Sequence, residues 1–279
     1  MGFRGRVAIV GAGVGGLALA GFLSRQGVSF AVYEQARQFT RLGAGLQMSP
    51  NAVKVLRALG LEPRLRELAF APRGWSNRVW DSGEKLFAFT YGAEAEAKYG
   101  APYLLMHRGD LHDLLHSTVP AGSIAFEKTL TGIARRNGGY ELRFADGMVA
   151  AAEAVIGADG VHSRVREILL GPEKPRFTGR VAHRTVFGSA LMNGYLVETC
   201  TKWWGPDRHI VIYPVNPRRD ETYFVTSVPD PDWNVESWSA RGDMDRVRAA
   251  FAGFHDHVPR ILANCPVVPQ WAMFDRDPL

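Results

Sequence analysis

The first thirty-three residues carry hydrophobic patterns of two different periods. Residues 6–10 (RVAIV) and 28–33 (VSFAVY) are short apolar runs typical of buried strands, and residues 14–26 between them have apolar side chains at helical spacing. Gly27 follows the helical stretch and is suited to end it. Because parallel strands need a crossover connection, this order predicts a βαβ unit of an α/β protein.

The rest of the chain predicts short helices among a larger number of strands. Helices are expected at 50–61, where Pro50 follows the capping residue Ser49, at 108–117, from the turn 157–160 to about 170, and at 241–254. Alternating apolar and polar residues predict strands on both sides of the turn 81–83, at 123–130, 133–136, 139–144, 148–152 and 154–156, and between 173 and 228. We therefore expect a dinucleotide-type domain joined to an inserted, mostly antiparallel β-sheet.

Composition narrows the class of protein. Of the 279 residues, 46% are hydrophobic and 22% are charged, as in a globular protein with a sizeable core. The net charge of +5 is spread along the chain without a basic tract, which argues against a nucleic-acid surface. No stretch approaches the ~20 apolar residues of a membrane span. Two distant cysteines and eight histidines show no metal-ligand spacing, so no metal is expected and a cytoplasmic protein is predicted.

A glycine-rich turn separates the first strand from the first helix. Gly11, Gly13 and Gly16 fit G-x-G-x-x-G, and Gly15 adds a further glycine. Such a turn lets backbone N–H groups approach a pyrophosphate at the positive end of a helix. Glu34 follows the second strand at about the spacing at which an acid holds the adenosine ribose. Together these residues predict a dinucleotide site.

A second glycine–acid element distinguishes between dinucleotides. Residues 156–166 (IGADGVHSRVR) place Asp159 and Gly160 between a buried strand and a helix. This segment resembles the second fingerprint of the FAD-dependent aromatic-ring hydroxylases of the p-hydroxybenzoate hydroxylase type. The resemblance implies bound FAD with Asp159 and Gly160 near its diphosphate. Arg41 and Arg108 match the flavin-contacting arginines of that family.

The resemblance extends over essentially the whole chain and is strongest to family members that hydroxylate 6-hydroxynicotinate. It implies further cofactor contacts at Gln35 and Leu130. It also implies that Cys200, His209 and Tyr213 line the aromatic substrate. The matching segments include CTKWW at 200–204 and DRH at 207–209. Strand alternation puts His209 and Tyr213 on one face, which suits a ring-lining role.

Two departures from the family pattern bear on function. Gln47 replaces a histidine of the 6-hydroxynicotinate hydroxylases, and an amide forms hydrogen bonds but cannot act as a base. We assign catalytic positions to Gln47, His209 and Tyr213, and the segment around Gln47 also resembles salicylate-type hydroxylases. In addition, the family continues beyond the point where this sequence stops, with a segment that seats the flavin ring, so we expect a truncated chain.

The resemblance implies a monooxygenase that uses FAD, NADH or NADPH, and O₂ to hydroxylate an aromatic or N-heteroaromatic carboxylate. Its domains are expected at 1–72 plus 103–178 for FAD and at 73–102 plus 179–270 for the substrate, with 271–279 returning to the FAD domain. The alternatives are a salicylate-type hydroxylase, another flavin oxidoreductase such as a reductase or epoxidase, and a catalytically incomplete nucleotide-binding fragment. No nucleic-acid or membrane partner is expected, and a homodimer is left open.

Overall fold

The computed structural model describes residues 5–41, 43–233 and 241–278. Its strands, numbered in chain order, are β1 (Val7–Val10), β2 (Phe30–Tyr33), β3 (Gly45–Met48), β4 (Gly74–Val79), β5 (Lys85–Thr90), β6 (Leu104–His107), β7 (Ile124–Ala125), β8 (Leu130–Arg136), β9 (Gly139–Phe144), β10 (Val149–Ala152), β11 (Ala154–Gly157), β12 (Arg176–Gly188), β13 (Cys200–Trp204), β14 (His209–Pro214), β15 (Glu221–Pro229) and β16 (Gln270–Asp275). Its helices are α1 (Val14–Arg25), α2 (Pro50–Ala58), α3 (Glu62–Leu68), α4 (Ala93–Tyr99), α5 (Arg108–His116), α6 (Arg164–Leu170), α7 (Met244–Ala250) and α8 (His257–Ala263).

The chain divides into two compact units. The first contains residues 1–40, 111–176 and 275–279, and the second contains 41–110 and 177–274. The predicted domain division, drawn by expected function, assigned 41–72 and 103–110 to the nucleotide part. These segments belong to the second unit because Ala44 and Leu105 pack in one hydrophobic cluster with Cys200 and Tyr213.

The first unit is built on a parallel sheet of the order β11–β1–β2–β7. Its core joins β1 and β2 to the antiparallel sheet β10–β9–β8, and the ring of Tyr33 lies 4.7 Å from that of Phe144. The β1–α1–β2 crossover is the βαβ unit that the hydrophobic pattern predicts. The predicted strand 123–130 is largely wrong: within it only Ile124–Ala125 and Leu130, the first residue of β8, lie in strands, and Glu127 between them adopts a left-handed backbone with φ +57°.

The second unit contains a seven-stranded sheet of the order β16–β12–β15–β14–β13–β4–β5. Within this sheet, β12 and β15, β15 and β14, β14 and β13, and β4 and β5 pair antiparallel, whereas β13 and β4 run parallel. One face packs against α7 and α8 through Trp203, Ile210 and Phe224. The predicted helix 241–254 is shorter, because the Asp243 side chain caps α7 by accepting the N–H groups of residues 245 and 246. The predicted fold class, α/β with a mostly antiparallel sheet, is confirmed.

None of the helices in the described part of the chain is long and apolar enough to cross a bilayer.

Glu62 joins the short helices α2, α3 and α4. Its buried carboxylate accepts hydrogen bonds from the guanidinium groups of Arg66 at 2.8 Å and Arg57 at 3.1 Å, and Arg66 also pairs with Glu96. The hydrogen bond from Arg57 is the main reason why the pKa of Glu62 lies below its usual value. The ionised carboxylate therefore stabilises this helical corner.

We expect Glu62→Gln to lower the melting temperature at pH 7 by roughly 2–4 °C, the shift produced by about 1 kcal/mol in a chain of this size. Because the folded-state pKa is depressed, this contribution is present above the unfolded pKa near 4.5 and is lost as the pH falls through the folded-state pKa. Glu67→Gln, on the exposed side of the same helix, is the matched control. A difference between wild type and Glu62→Gln that stays constant down to pH 3 would contradict this assignment.

Candidate functional site

The glycines of the first turn differ in what surrounds them. Gly11 has φ +100°, and a methyl group there would overlap the carbonyl oxygen of Ala158. A methyl group at Gly16 would overlap the carbonyl oxygen of Gly11. Gly13 and Gly15, in contrast, have no heavy atom within 4 Å of an added Cβ. Gly11 and Gly16 are therefore needed for packing, whereas Gly13 and Gly15 leave open space beside the turn.

Helix α1 begins at that open space. It is twelve residues long, and its N-cap Gly13 forms no side-chain capping bond. The first turn contains no acidic residue. The N-terminal N–H groups and the positive end of the helix dipole are therefore directed at the space where the sequence predicts a diphosphate.

Glu34 holds the turn from the end of β2. One carboxylate oxygen accepts the N–H of Ala12 at 2.8 Å, and the other accepts the N–H of Ala36 at 2.8 Å. His112, which the sequence analysis did not single out, lies with Nε2 2.8 Å from the carbonyl oxygen of Ala12. Gln35 is exposed beside Glu34. The predicted ribose-binding acid thus lies directly against the glycine turn.

Asp159 lies on the opposite side of the same turn. A methyl group at Gly11 would be 3.0 Å from the Cα of Asp159, and Gly160 has φ +81°. The Asp159 carboxylate accepts the N–H of Val165 at 3.0 Å and the hydroxyl of Ser163, the residue that caps α6. Asp159 therefore organises the start of α6 and keeps unused lone pairs for a further donor.

Leu130 lies at the start of β8 and packs in the core of the first unit with 7% exposure. Its side chain is occupied by hydrophobic contacts. The predicted cofactor contact at this position would therefore have to use the Leu130 backbone.

The two predicted arginines lie in the second unit. Arg41, half exposed, pairs with Asp110 at 3.0 Å and lies 3.6 Å from Glu221. The backbone N–H of Arg108 donates to the carbonyl oxygen of Ala44 at 2.7 Å, which ties the start of α5 to the chain just before β3. Burial lowers the pKa of Arg108, although an arginine keeps its charge at neutral pH.

Gln47 lies at the centre of a group of phenols that we call the tyrosine cluster (Tyr103, Tyr213 and Tyr223 around Gln47). The hydroxyl of Tyr103 donates to Oε1 of Gln47 at 2.6 Å, and the side chain of Gln47 lies next to that of Tyr213. The rings of Tyr213 and Tyr223 are 5.0 Å apart. A methyl group at Gly45 would lie 2.7 Å from the ring of Tyr223, so the glycine at 45 lets the phenols approach β3.

Burial determines the charge of the cluster. Tyr213 is 2% exposed, and this burial raises its pKa well above the usual value. Burial also raises the pKa of Tyr223 to about 12 and raises that of the Cys200 thiol, which packs against the cluster. All three groups are protonated at neutral pH, so the cluster offers neutral hydrogen-bonding groups.

Strand register places the three predicted substrate residues on one side of the seven-stranded sheet, which we call the site face. Trp204 pairs with His209 and Lys202 pairs with Val211 in adjacent antiparallel strands. Because side chains alternate, Cys200, His209 and Tyr213 point to the same side. Burial, reinforced by the positive Lys202 and Arg180, lowers the pKa of His209 to about 4.

The structure thus groups the predicted residues into two sets. The glycine turn, Glu34, Asp159 and Gly160 meet in the first unit, whereas Gln47, Cys200 and Tyr213 meet in the second, with His209 further along the same face. Sequence reasoning missed Tyr103 and Tyr223. The alternation in β15 could have indicated Tyr223, but its pairing with Tyr213 follows only from the register of β14 with β15.

Comparison with known proteins places this geometry in context. The family model described as an FAD binding domain matches residues 4–252. The chain is 46% identical over 278 residues to 6-hydroxynicotinate 3-monooxygenase of Bordetella bronchiseptica, covering 98% of this chain and 72% of that protein.

Two solved structures have the same fold over nearly the whole chain. Klebsiella pneumoniae HpxO complexed with FAD and uric acid superposes with a TM-score of 0.83 at 26% identity, covering 98% of this chain and 69% of the other. A salicylate hydroxylase substrate complex superposes with a TM-score of 0.82 at 27% identity, covering 99% and 70%.

The contrast between the glycines gives a direct test of the dinucleotide site. Gly13→Ala should fold normally, since nothing lies within 4 Å of the added methyl group, but it should weaken FAD binding by about tenfold or more by occupying the space beside the N–H groups. Gly132→Ala, at an equally open position on β8, is the matched control. Fluorescence titration with FAD and a thermal melt measure both effects. Equal FAD affinity in the two variants would reject this role for Gly13.

The burial of His209 predicts a stability change with pH. Its folded-state pKa of about 4 lies below the unfolded value near 6.5, so the unfolded chain binds a proton first and stability falls as the pH drops from 6.5 towards 4. We expect His209→Gln to lose less stability than wild type over this interval. Denaturant titrations at pH 8, 6 and 4.5 measure the slopes. Parallel slopes in the two proteins would show that His209 is not buried as a neutral group.

Proposed function

The chain belongs to the FAD-binding-domain family, and from that membership we propose that it hydroxylates a small aromatic or N-heteroaromatic carboxylate with NAD(P)H and O₂. Its relatives are FAD-dependent monooxygenases, so the chain is an FAD-dependent aromatic hydroxylase by class. The chain spans about seven-tenths of the length of these relatives. The names of the relatives supply the candidate substrates.

The residues of the first unit fit an FAD nucleotide. Gly13 and Gly15 leave a cradle that an added Cβ would enter, α1 directs its N–H groups there, and Glu34 lies at the turn. These residues would hold the adenosine diphosphate half, with Asp159 and Gly160 beside it and Gln35 and the Leu130 backbone as further proposed contacts. Arg41 and Arg108 are proposed to contact the flavin part. When bound, FAD accepts hydride from NAD(P)H and activates O₂ for transfer of one oxygen atom to the ring.

The tyrosine cluster is the main support for an aromatic substrate. It combines aromatic surface for a ring with hydroxyl and amide groups for ring substituents. A ring bearing a hydroxyl can exchange hydrogen bonds with Tyr213 and Gln47 while it packs against Cys200. A buried and mostly aromatic surface with few polar groups is typical of a small-molecule site.

Each catalytic candidate has a role that its chemistry permits. Tyr213 remains a neutral phenol and can donate to an oxygen of the ring. Gln47 can orient the ring and the Tyr103 and Tyr213 hydroxyls but cannot take up a proton. His209, kept neutral above a pH of about 4, is the member of this set that can accept a proton from a ring hydroxyl. Loss of that proton would enrich the ring in electrons and favour attack by an electrophilic oxygen.

The substrate that we place first is 6-hydroxynicotinate, by similarity to the Bordetella bronchiseptica protein, with decarboxylative hydroxylation at C3 as the reaction. Gln47 stands at the position where the sequence departs from that group, and salicylate is therefore the second candidate. We also propose that the parts of the chain that bind FAD and substrate follow the predicted domain division.

The direct test is a turnover assay. Protein reconstituted with FAD is mixed with NADH and either 6-hydroxynicotinate or salicylate, and NADH oxidation and O₂ uptake are followed. We expect one aromatic acid to stimulate both rates at least severalfold and to yield a product with one added oxygen, with loss of CO₂ in the first case. Gly132→Ala should behave as wild type and Gly13→Ala should require more FAD.

The outcomes separate the broad proposal from the narrow one. A response to salicylate alone would reject 6-hydroxynicotinate and keep the reaction class. An FAD-loaded protein whose NADH oxidation responds to no aromatic acid would reject the proposed function.

A further inference from the structure

On the site face of β4 and β13, three side-chain donors have no hydrogen-bond acceptor or counter-ion among the described residues. They are the indole N–H of Trp75, the side-chain amide of Asn77 and the ammonium group of Lys202. Trp75 is paired with Cys200 and Asn77 with Lys202, so all three point to the side that carries the proposed substrate residues. Trp75 also packs against the hydrophobic group that contains Cys200 and Tyr213.

Asn77 is oriented so that its donor is left unused. The indole N–H of Trp204 donates to Oδ1 of Asn77 at 2.9 Å. Because an indole nitrogen can only donate, this bond fixes which end of the amide is the oxygen. The amide nitrogen then points elsewhere, and although Asn77 is only 3% exposed, this nitrogen has no hydrogen-bond partner among the residues that the structure describes. A buried donor of this kind is costly unless a ligand accepts from it.

Lys202 adds a positive charge at the same place. Its Nζ lies 3.4 Å from the centre of the Trp204 ring, and Trp204 in turn holds Asn77. No carboxylate within residues 5–41, 43–233 and 241–278 forms an ion pair with Lys202. Burial lowers the pKa of Lys202, as expected for a charged group without a counter-ion.

The neighbouring His209 does not supply a counter-ion for Lys202. His209, whose ring is 5.3 Å from that of Trp204, is neutral and carries no negative charge. Trp75 lies two residues before Asn77 on β4. Its buried indole N–H also has no hydrogen-bond partner in the described part of the chain. A patch with two unused neutral donors and one unpaired cation is complementary to a compact anion with several acceptor oxygens.

We propose that Asn77 and Lys202 bind the carboxylate of the aromatic substrate, with Trp204 as the platform that holds both. The inference rests on the proposed function and specifies how its substrate is oriented. Residues two apart on a strand are separated by about 7 Å, so the carboxylate lies one step along the sheet from the Cys200 and Tyr213 positions that receive the ring. Trp75, which pairs with Cys200, lies at the ring end of the site, and its N–H is a further donor for the same carboxylate.

The test compares ligands that differ only in the carboxylate. Dissociation constants are measured by calorimetry, without NADH, for 6-hydroxynicotinate against 2-hydroxypyridine and for salicylate against phenol. The variants are Asn77→Asp, which keeps the oxygen that Trp204 needs but replaces the donor by an anion, and Lys202→Met, which keeps the apolar stem without the charge. Lys85→Met, at an exposed position of the neighbouring strand β5, is the matched control, and thermal melts confirm folding.

We expect both variants to weaken binding of the acid by about tenfold or more while binding of the uncharged partner changes by less than about twofold. Lys85→Met should bind both ligands as wild type does. Equal weakening of acid and uncharged ligand, or no weakening in either variant, would overturn the inference and leave Lys202 as a cation packed on Trp204 for stability.

The result is independent of turnover. Selective loss of acid binding supports this carboxylate site even in a protein that shows no NADH oxidation with these acids, in which case only the proposed reaction fails. Stimulated NADH oxidation together with unselective variants overturns the carboxylate site alone. A wild-type protein that binds none of these acids would overturn both.

Discussion

The close approach of the Gly11 and Ala158 backbones is the constraint on which the nucleotide half of the molecule depends. β1 and β11 run parallel, and the chain leaving β11 passes so near to Gly11 that no side chain fits there. This contact brings Asp159 beside the glycine turn, although the two segments are far apart in the sequence. Gly16 allows α1 to pack equally closely. The turn therefore has two glycines that serve the fold and two, Gly13 and Gly15, that leave room for a phosphate.

The second unit depends on a different contact, the parallel pairing of β4 with β13. It places Trp75 and Asn77 beside Cys200 and Lys202 and so completes the site face. The opposite face of the sheet is a conventional hydrophobic core against α7 and α8. A protein interior normally satisfies its polar groups. On the site face, the Trp75 and Asn77 donors that lack a partner in the described part of the chain lie beside the positive charge of Lys202, and the proposed carboxylate site uses this combination.

Sequence alone predicted those features that local chemistry determines. The β1–α1–β2 crossover, its glycine turn and Glu34 follow from periodicity and spacing, and the turn residues around β9 fix that strand at 139–144 as predicted. The long-range strand register could not be predicted, because no local sequence signal indicates that β4 pairs with β13, about 125 residues later in the chain. For the same reason the tyrosine cluster was found only in part: Tyr213 came from resemblance, whereas Tyr103 reaches Gln47 through the pairing of β3 with β6. Three helices of seven residues each, α3, α4 and α8, were not predicted from the sequence.

In the proposed binding mode, the distribution of charge over the site face would distinguish one end of the substrate from the other. Tyr213, Gln47 and His209 are all neutral at physiological pH, so the groups that meet the ring and its hydroxyl exert no strong attraction on an anion. Lys202 supplies positive charge one step along the sheet, where desolvation strengthens its interaction with an anion. A hydroxy acid that entered the wrong way round would leave its carboxylate among neutral phenols and Lys202 without a counter-ion. In this proposed binding mode, the separation of neutral and charged donors would set the orientation of the ring and the carbon presented for hydroxylation.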